Sequence, residues 1–423
     1  MDHWHHFLKC LRFALQLMPA LLLCSVVALA NEQENEQEQT LVEDAVGEAL
    51  ADTPYFNSLL IKREFPVVGG RWGWDMFIDA PLNGEPEGSE VTLRRAKAKY
   101  TRNFGNNWRL KLTGNYSRGG GLELSDNYFS YNGWKSALVT FGISDPAFSL
   151  ESITSSSALT FMEHGLPVDA LAERKSVGVS FLRRSPSSIL QASLILANVS
   201  QDDLREEGQG IVLHYVHSPI QVGRHRNRSI HLGGSFSYRI NASEESIQFR
   251  SRPEVATIND YYVDTGTIAG AEQVARLSLE VSQVVDRFSW QAEVLTSRVH
   301  RATENTLSFW GAYAYASWFL TGDSRNYHFG SGSFEPVKVA SPLLQGGPGA
   351  FEVAFRASVV DLTNRGTIGG EEKNLSIGLN WYINQRVRLM TNLVKVLDVD
   401  RPGSEYDGQN PLIFSLRAQW VLN

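Results

Sequence analysis

Cysteine is nearly absent. The chain has two, Cys10 and Cys24, in 423 residues, and none follows residue 30. Once the leader is removed, no disulfide can brace the rest, so an exported product must be held by packing and hydrogen bonds alone. Long apolar runs are also missing. Beyond residue 30 nothing approaches the roughly 18 apolar residues of a membrane helix. Positive charge is in the minority, 39 Lys and Arg against 46 Asp and Glu, a formal net charge of −7. That balance excludes a chain whose overall field gathers nucleic acid. The usual catalytic signatures are lacking as well: there is no G-x-S-x-G, no H-E-x-x-H and no nucleotide loop. His214 and His217 stand three apart in a strand-like stretch, so they point to opposite faces and do not chelate together. The last acidic run, Asp398, Asp400, Glu405 and Asp407, reads as a solvated loop rather than a cation site near lipid head groups. No enzyme, metal or cofactor is expected.

What is present begins with a leader. Lys9 and Arg12 precede an apolar run from Phe13 to Leu29, which closes on Ala28-Leu29-Ala30 before the polar "NEQENEQEQ". This is the pattern of a secretory signal peptide over 1–30, cleaved near Ala30, and the run is short for a membrane anchor. Residues 31–69 form an N-terminal periplasmic segment in this reading. Within 31–53, Leu41, Val42, Ala45, Val46, Ala49 and Leu50 recur at helical spacing, and a short helix or coiled coil stands beside an acidic linker as the two readings.

From Arg71 the period becomes two. In "NWRLKLTGNY" Trp108, Leu110, Leu112 and Tyr116 share one face, while Arg109, Lys111, Thr113 and Asn115 share the other. "NLSIGLNWYI" and "SIHLGGSFSYRI" repeat the theme. Strict alternation over about ten residues is strand periodicity. About sixteen such segments are expected between 71 and 422. Their connections alternate between tight turns, such as Gly105-Asn106-Asn107 and Asn384-Gln385, and long polar loops at 143–173, 241–271, 361–373 and 397–410. A large soluble sandwich or propeller also alternates. Strand length, aromatic strand ends and export without cysteine favour an all-β transmembrane antiparallel β-barrel over 70–423, with inward-folded loops. The stretch Phe309–Phe319 packs six aromatics among small residues and reads as a strand with its outward side toward lipid.

Several motifs then coincide in order. They are Leu93-Arg94-Arg95-Ala96, "ISDPAFSLESITSSSALTFMEHGLPVDALAERKSVGVSF" at 143–181, "RSRPE" at 250–254, "YVDTG" at 262–266, "YAYASWFLTGDSRNY" at 313–327, "GAFEVAFRAS" at 349–358 and "GLNWYINQRVRLMTN" at 378–392. Together they resemble the phosphate-selective porin O/P family. The resemblance implies a sixteen-stranded homotrimeric porin of the bacterial outer membrane, among lipid and lipopolysaccharide. It also implies a narrow anion-selective channel for inorganic phosphate or similar anions, and a segment 321–348 folded back into the lumen. The terminal Trp420-Val421-Leu422-Asn423 departs from the aromatic ending usual in such barrels.

If apolar residues face lipid, alternation puts Arg95, Lys97 and Lys99 in the channel beside Arg109 and Lys111, with Arg174, Arg239, Arg276, Arg356, Arg386, Arg388 and Arg417. Only Glu280, Glu293 and Glu352 are expected to oppose them. Such a basic wall concentrates anions. Arg94 joins the candidates through the motif it stands in. The presumed constriction loop, 143–173, has no Lys or Arg, although the resemblance implies a basic residue there. Ser155, Ser156 and Ser157 offer hydroxyls instead. The reading is a passive anion-preferring porin for phosphate- or polyphosphate-like solutes. The alternatives are a general or organic-anion porin and a plugged structural or adhesive barrel.

Overall fold

A computed structural model describes residues 70–81, 92–117, 121–199, 207–222, 228–240 and 247–422. The leader and the 31–69 segment lie outside the described residues. Sixteen long strands follow one another around a single sheet. They are β1 (Arg71–Pro81), β2 (Thr92–Phe104), β3 (Trp108–Ser117), β4 (Asn127–Trp134), β5 (Ala137–Ser144), β6 (Ser176–Arg184), β7 (Ser188–Asn198) and β8 (Gln209–His217), then β9 (Arg228–Ile240), β10 (Ala271–Val285), β11 (Phe288–Arg301), β12 (Leu307–Phe319), β13 (Ala350–Asn364), β14 (Thr367–Tyr382), β15 (Val387–Asp400) and β16 (Leu412–Leu422). Each pairs antiparallel with the next. β16 returns to β1 in the register Trp74↔Leu422 to Pro81↔Ser415. That last pairing closes the barrel and leaves no open sheet edge, the condition for a sheet in lipid.

Alternation decides the faces. On β1, Trp72, Trp74, Met76 and Ile78 are exposed on the outside, while Asp75, Phe77 and Asp79 are buried inside. The connections at one end are short (105–107, 135–136, 185–187, 286–287, 383–386), with 218–227 and 320–349 the longer ones there. At the other end, 145–175 and 241–270 are the longest. The expected loop at 361–373 does not exist. Its residues extend β13 and β14 to a two-residue hairpin, where Arg365 and Gly366 have φ of 47° and 90°. Two positive φ values are what a type I′ turn requires, and glycine adopts them without strain.

The segment 145–175 crosses the lumen. It carries two short helical turns, α1 (Leu150–Ile153) and α2 (Leu166–Leu171). Both are held by carboxylates rather than by their own length. Glu293 of β11 accepts from the backbone N–H of Leu150 at 3.1 Å and of Glu151 at 2.7 Å. Glu254, in the 241–270 loop, accepts from the N–H of Leu166 at 3.2 Å. Phe148, Leu150, Phe161, Leu166 and Leu171 are almost fully buried, and each contributes about 1.5–3 kcal/mol of apolar burial. The inner face of β12 makes room for them. A Cβ on Gly311 would lie 2.7 Å from Pro167 Cβ and 2.7 Å from the Val359 carbonyl. The aromatics of β12 therefore divide between two environments. Trp310 and Trp318 face outward, but Phe309, Tyr313, Tyr315 and Phe319 face the lumen and pack on the inserted segments.

Candidate functional site

Three segments meet inside the barrel: 145–175, 247–270 and 320–349. The third enters from the short-turn end, where Tyr327 OH lies 2.6 Å from His231 Nδ1. Phe334 is buried against Leu150 and Val284, and the Arg325 guanidinium sits 3.4 Å over the Phe334 ring. Together they cover the inner faces of β8 to β14, where inward side chains such as His214, Arg239, Arg276, Glu352 and Arg356 are buried. The inner faces of β2 to β6 are half-exposed at most positions, with Thr113, Asn115, Ser130 and Ser176 buried. The open space of the lumen lies along that sector.

The expected basic residues divide accordingly. Arg95, Lys97, Lys99, Arg109 and Lys111 share the inner wall of β2 and β3, in the register Lys97↔Asn115 and Lys99↔Thr113. Arg94 turns inward too, because a bulge sets Phe77 opposite Arg95 and Ile78 opposite Leu93. The extra residue of a bulge re-aims a side chain, and Arg94 reaches Glu163 at 2.9 Å. Lys99 pairs with Asp75 at 2.6 Å and Lys111 with Asp126 at 2.8 Å. Lys175, at the head of β6, bridges Asp126 at 2.7 Å and Asp145 at 2.6 Å. Burial penalises the charge of Asp126, but Lys111 and Lys175 outweigh it and hold the carboxyl well below its usual range.

The rest of the expected wall is neutralised or displaced. Arg276 lies between Glu173 and Glu207, and Arg239 is near Glu173 at 3.8 Å. Arg356 pairs with Glu254 at 2.8 Å and faces Glu151 at 3.6 Å. Arg388 donates to the Leu159 and Thr160 carbonyls at 2.7 and 3.1 Å. Arg417 is bidentate to Asp79, both bonds at 2.7 Å, and reaches Glu163 at 2.5 Å. These side chains fasten loops to the wall rather than line the path. Arg174 is exposed at the loop margin and donates to the Asp169 carbonyl at 2.5 Å, and Arg386 is exposed in the 383–386 turn. Neither faces the lumen. The expected balance also missed Asp75, Asp79 and Glu372, which are buried on the inner face. Asp75 and Asp79 alternate with Phe77 in "WDMFID", so period two carried in from β2 would have found them.

The serine run meets the wall. The Arg95 guanidinium donates to Ser156 Oγ and lies 5.7 Å from the Phe77 ring centroid. Ser155 and Ser157 hydroxyls are 3.0 Å apart. Ser157 is buried, and its carbonyl accepts from Gln419 at 3.1 Å, so Ser155 is the exposed member. The charge that the loop lacks is thus supplied by β2. Among the described residues, neither Arg95 nor Lys97 has a carboxylate at ion-pair distance, unlike Arg94, Lys99 and Lys111.

A family model described as phosphate-selective porin O and P matches residues 67–422. Porin O of Pseudomonas aeruginosa is 26% identical over 353 residues, 74% of this chain and 78% of that protein. An uncharacterized protein of Caulobacter vibrioides is 29% identical over 330 residues, 72% of this chain but 63% of the relative, so the chain spans less than two thirds of that relative's length. Among solved structures, a loop L8 deletion mutant of OmpT from Vibrio cholerae superposes with a TM-score of 0.51 at 10% identity, covering 84% of this chain and 99% of that one. That likeness concerns the fold.

Proposed function

The chain belongs to the phosphate-selective porin O and P family, an outer-membrane barrel, and from that premise we propose that it is a passive channel passing anions in preference to cations, with phosphate-like oxyanions as solutes. The observation that carries this reading is the pair Arg95 and Lys97. They stand on the open wall without a carboxylate partner among the described residues, and Ser156 sits against Arg95. A tetrahedral oxyanion there accepts from a guanidinium, an ammonium and the Ser155 hydroxyl together. Charge-assisted bonds are the strong ones, and a confined low-dielectric pore lengthens their reach. The channel works as a homotrimer in this proposal, surrounded by lipid and lipopolysaccharide.

The paired side chains have a different part. Arg356, Arg417 and Arg276 hold the inserted segments through carboxylates of those same segments, so the loops narrow the path without adding net charge to it. A salt-gradient reversal potential in planar bilayers, followed by phosphate titration of the chloride current, tests the proposal. Anion preference with saturable phosphate block is expected. Cation preference would overturn it, and an absence of steady current would favour the plugged, structural barrel.

A further inference from the structure

A cavity of about 160 Å³ opens at the short-turn end of the same sector. Its wall is made from the lower ends of β2 to β6, away from the serine run. Asn103, Asn132, Arg109, Arg184, Tyr128 and Thr140 are among the residues that line it, and no carboxylate does. Arg109 Nε donates to Asn103 Oδ1 at 3.1 Å. Arg184 and Arg109 bring two guanidinium groups to it, and the Asn103, Asn132, Tyr128 and Thr140 side chains bring groups that accept as well as donate.

We propose that this cavity is a subsite for hydroxylated carboxylates of sugar-acid size. The argument is one of complementarity. A compact oxyanion such as phosphate meets the guanidinium groups and leaves most of the amide and hydroxyl lining unpaired. A plain carboxylate has the same defect. A sugar acid brings the carboxylate for Arg184 and Arg109 and hydroxyls that donate to Asn132 and Asn103 while accepting from Tyr128 and Thr140. At roughly 10–15 Å³ for each small probe-sized group, the volume holds on the order of ten heavy atoms, well beyond the five of phosphate. The site differs in chemistry and position from the Arg95–Ser156 contact. It rests on the anion-channel reading only for its place on a transport route, and binding itself does not depend on conduction.

The test uses the full-length chain in detergent and in planar bilayers. D-glucuronate is the probe, and cyclohexanecarboxylate, of the same ring size without hydroxyls, is the control. Calorimetric titration is expected to show D-glucuronate binding about tenfold more tightly than the control, the worth of one or two satisfied polar groups. Arg184→Gln is expected to weaken D-glucuronate about tenfold and leave phosphate block of chloride current unchanged. Asn132→Ala is expected to bring D-glucuronate and the control to equal affinity. Equal binding of both carboxylates to the native chain, or no binding, overturns the proposal. So does a loss of phosphate block in Arg184→Gln equal to the loss for D-glucuronate, because the cavity would then be another oxyanion step. Binding of D-glucuronate by a barrel that passes no current would sustain this inference and overturn the channel reading, which separates the two failures.

Discussion

Arg417 is held by Asp79, far back in the chain on β1, and by Glu163 in the crossing loop. One guanidinium thereby joins the closing strand pair to the constriction. Removing one partner of a buried pair strands the other charge, a cost of about 3–5 kcal/mol. Asp79→Asn is therefore expected to lower the urea midpoint of the folded barrel clearly, whereas a surface change such as Lys135→Gln should not. Glu163 adds a pH dependence. Burial works against its charge, but Arg94 and Arg417 outweigh burial and hold its carboxyl well below the usual range. A depressed folded-state value gives stability that is complete above the unfolded value, about pH 4.3, and lost as pH falls through the folded one. Channel noise should accordingly be the same at pH 7 and pH 5, and rise only well below pH 4. Noise that grows already between pH 6 and 5 would place the loop's anchor elsewhere. A lysine at Ser155, the exposed serine of the run, should strengthen phosphate block of chloride current. At the buried Ser157 it should disturb the loop instead.

The segment 145–175 is an element that cannot stand by itself, since its two helical turns have four and six residues. Its position comes from Glu293, Glu254 and the packing of Pro167 on Gly311. Gly311→Val would set a Cβ 2.7 Å from Pro167 Cβ in the loop and 2.7 Å from the Val359 carbonyl of β13. The expected result is a less stable barrel that conducts more wherever it folds, because the clash falls on loop and strand alike. Unchanged conductance would mean that this loop does not narrow the path. The segment 320–349 makes the same point from the opposite end. Replacing 324–336 by a short Gly-Ser link removes Arg325, Tyr327 and Phe334 from the lumen and should raise single-channel conductance with unaltered heat-modifiable migration. How legible these elements were follows from their chemistry. Strands crossing lipid alternate apolar with polar, and that signal gave sixteen of them. β13 and β14 run on past lipid through Asp361, Asn364, Thr367 and Glu371, where water bathes the outer side and alternation fades. That is why a loop was expected at 361–373.

Taken as one molecule, the barrel spends most of its inward charge on itself. The inward face of ten of the twelve expected basic side chains, all but Arg174 and Arg386, follows from period two. Their neutralisation was not readable in the sequence, because Arg356–Glu254, Arg276–Glu173 and Arg417–Glu163 join residues about a hundred or more apart in sequence, a separation no local pattern reports. What remains for selectivity is the half-exposed sector of β2 to β6. The sharpest prediction follows from sorting its members. Arg95→Gln with Lys97→Gln removes two charges that have no acidic counterpart among the described residues, and should move the reversal potential toward cations. Adding Lys99→Gln should move it further by one more charge, because it bares Asp75, now 2.6 Å from the lysine. Arg356→Gln is the contrasting variant. Its guanidinium is buried and paired with Glu254, so its loss should reduce stability by about 3–5 kcal/mol. Wherever the barrel still forms, it should leave the reversal potential close to the native value. If Arg356→Gln shifts selectivity as much as the Arg95 and Lys97 pair does, the field of the pore is set by the whole lumen and not by its open wall.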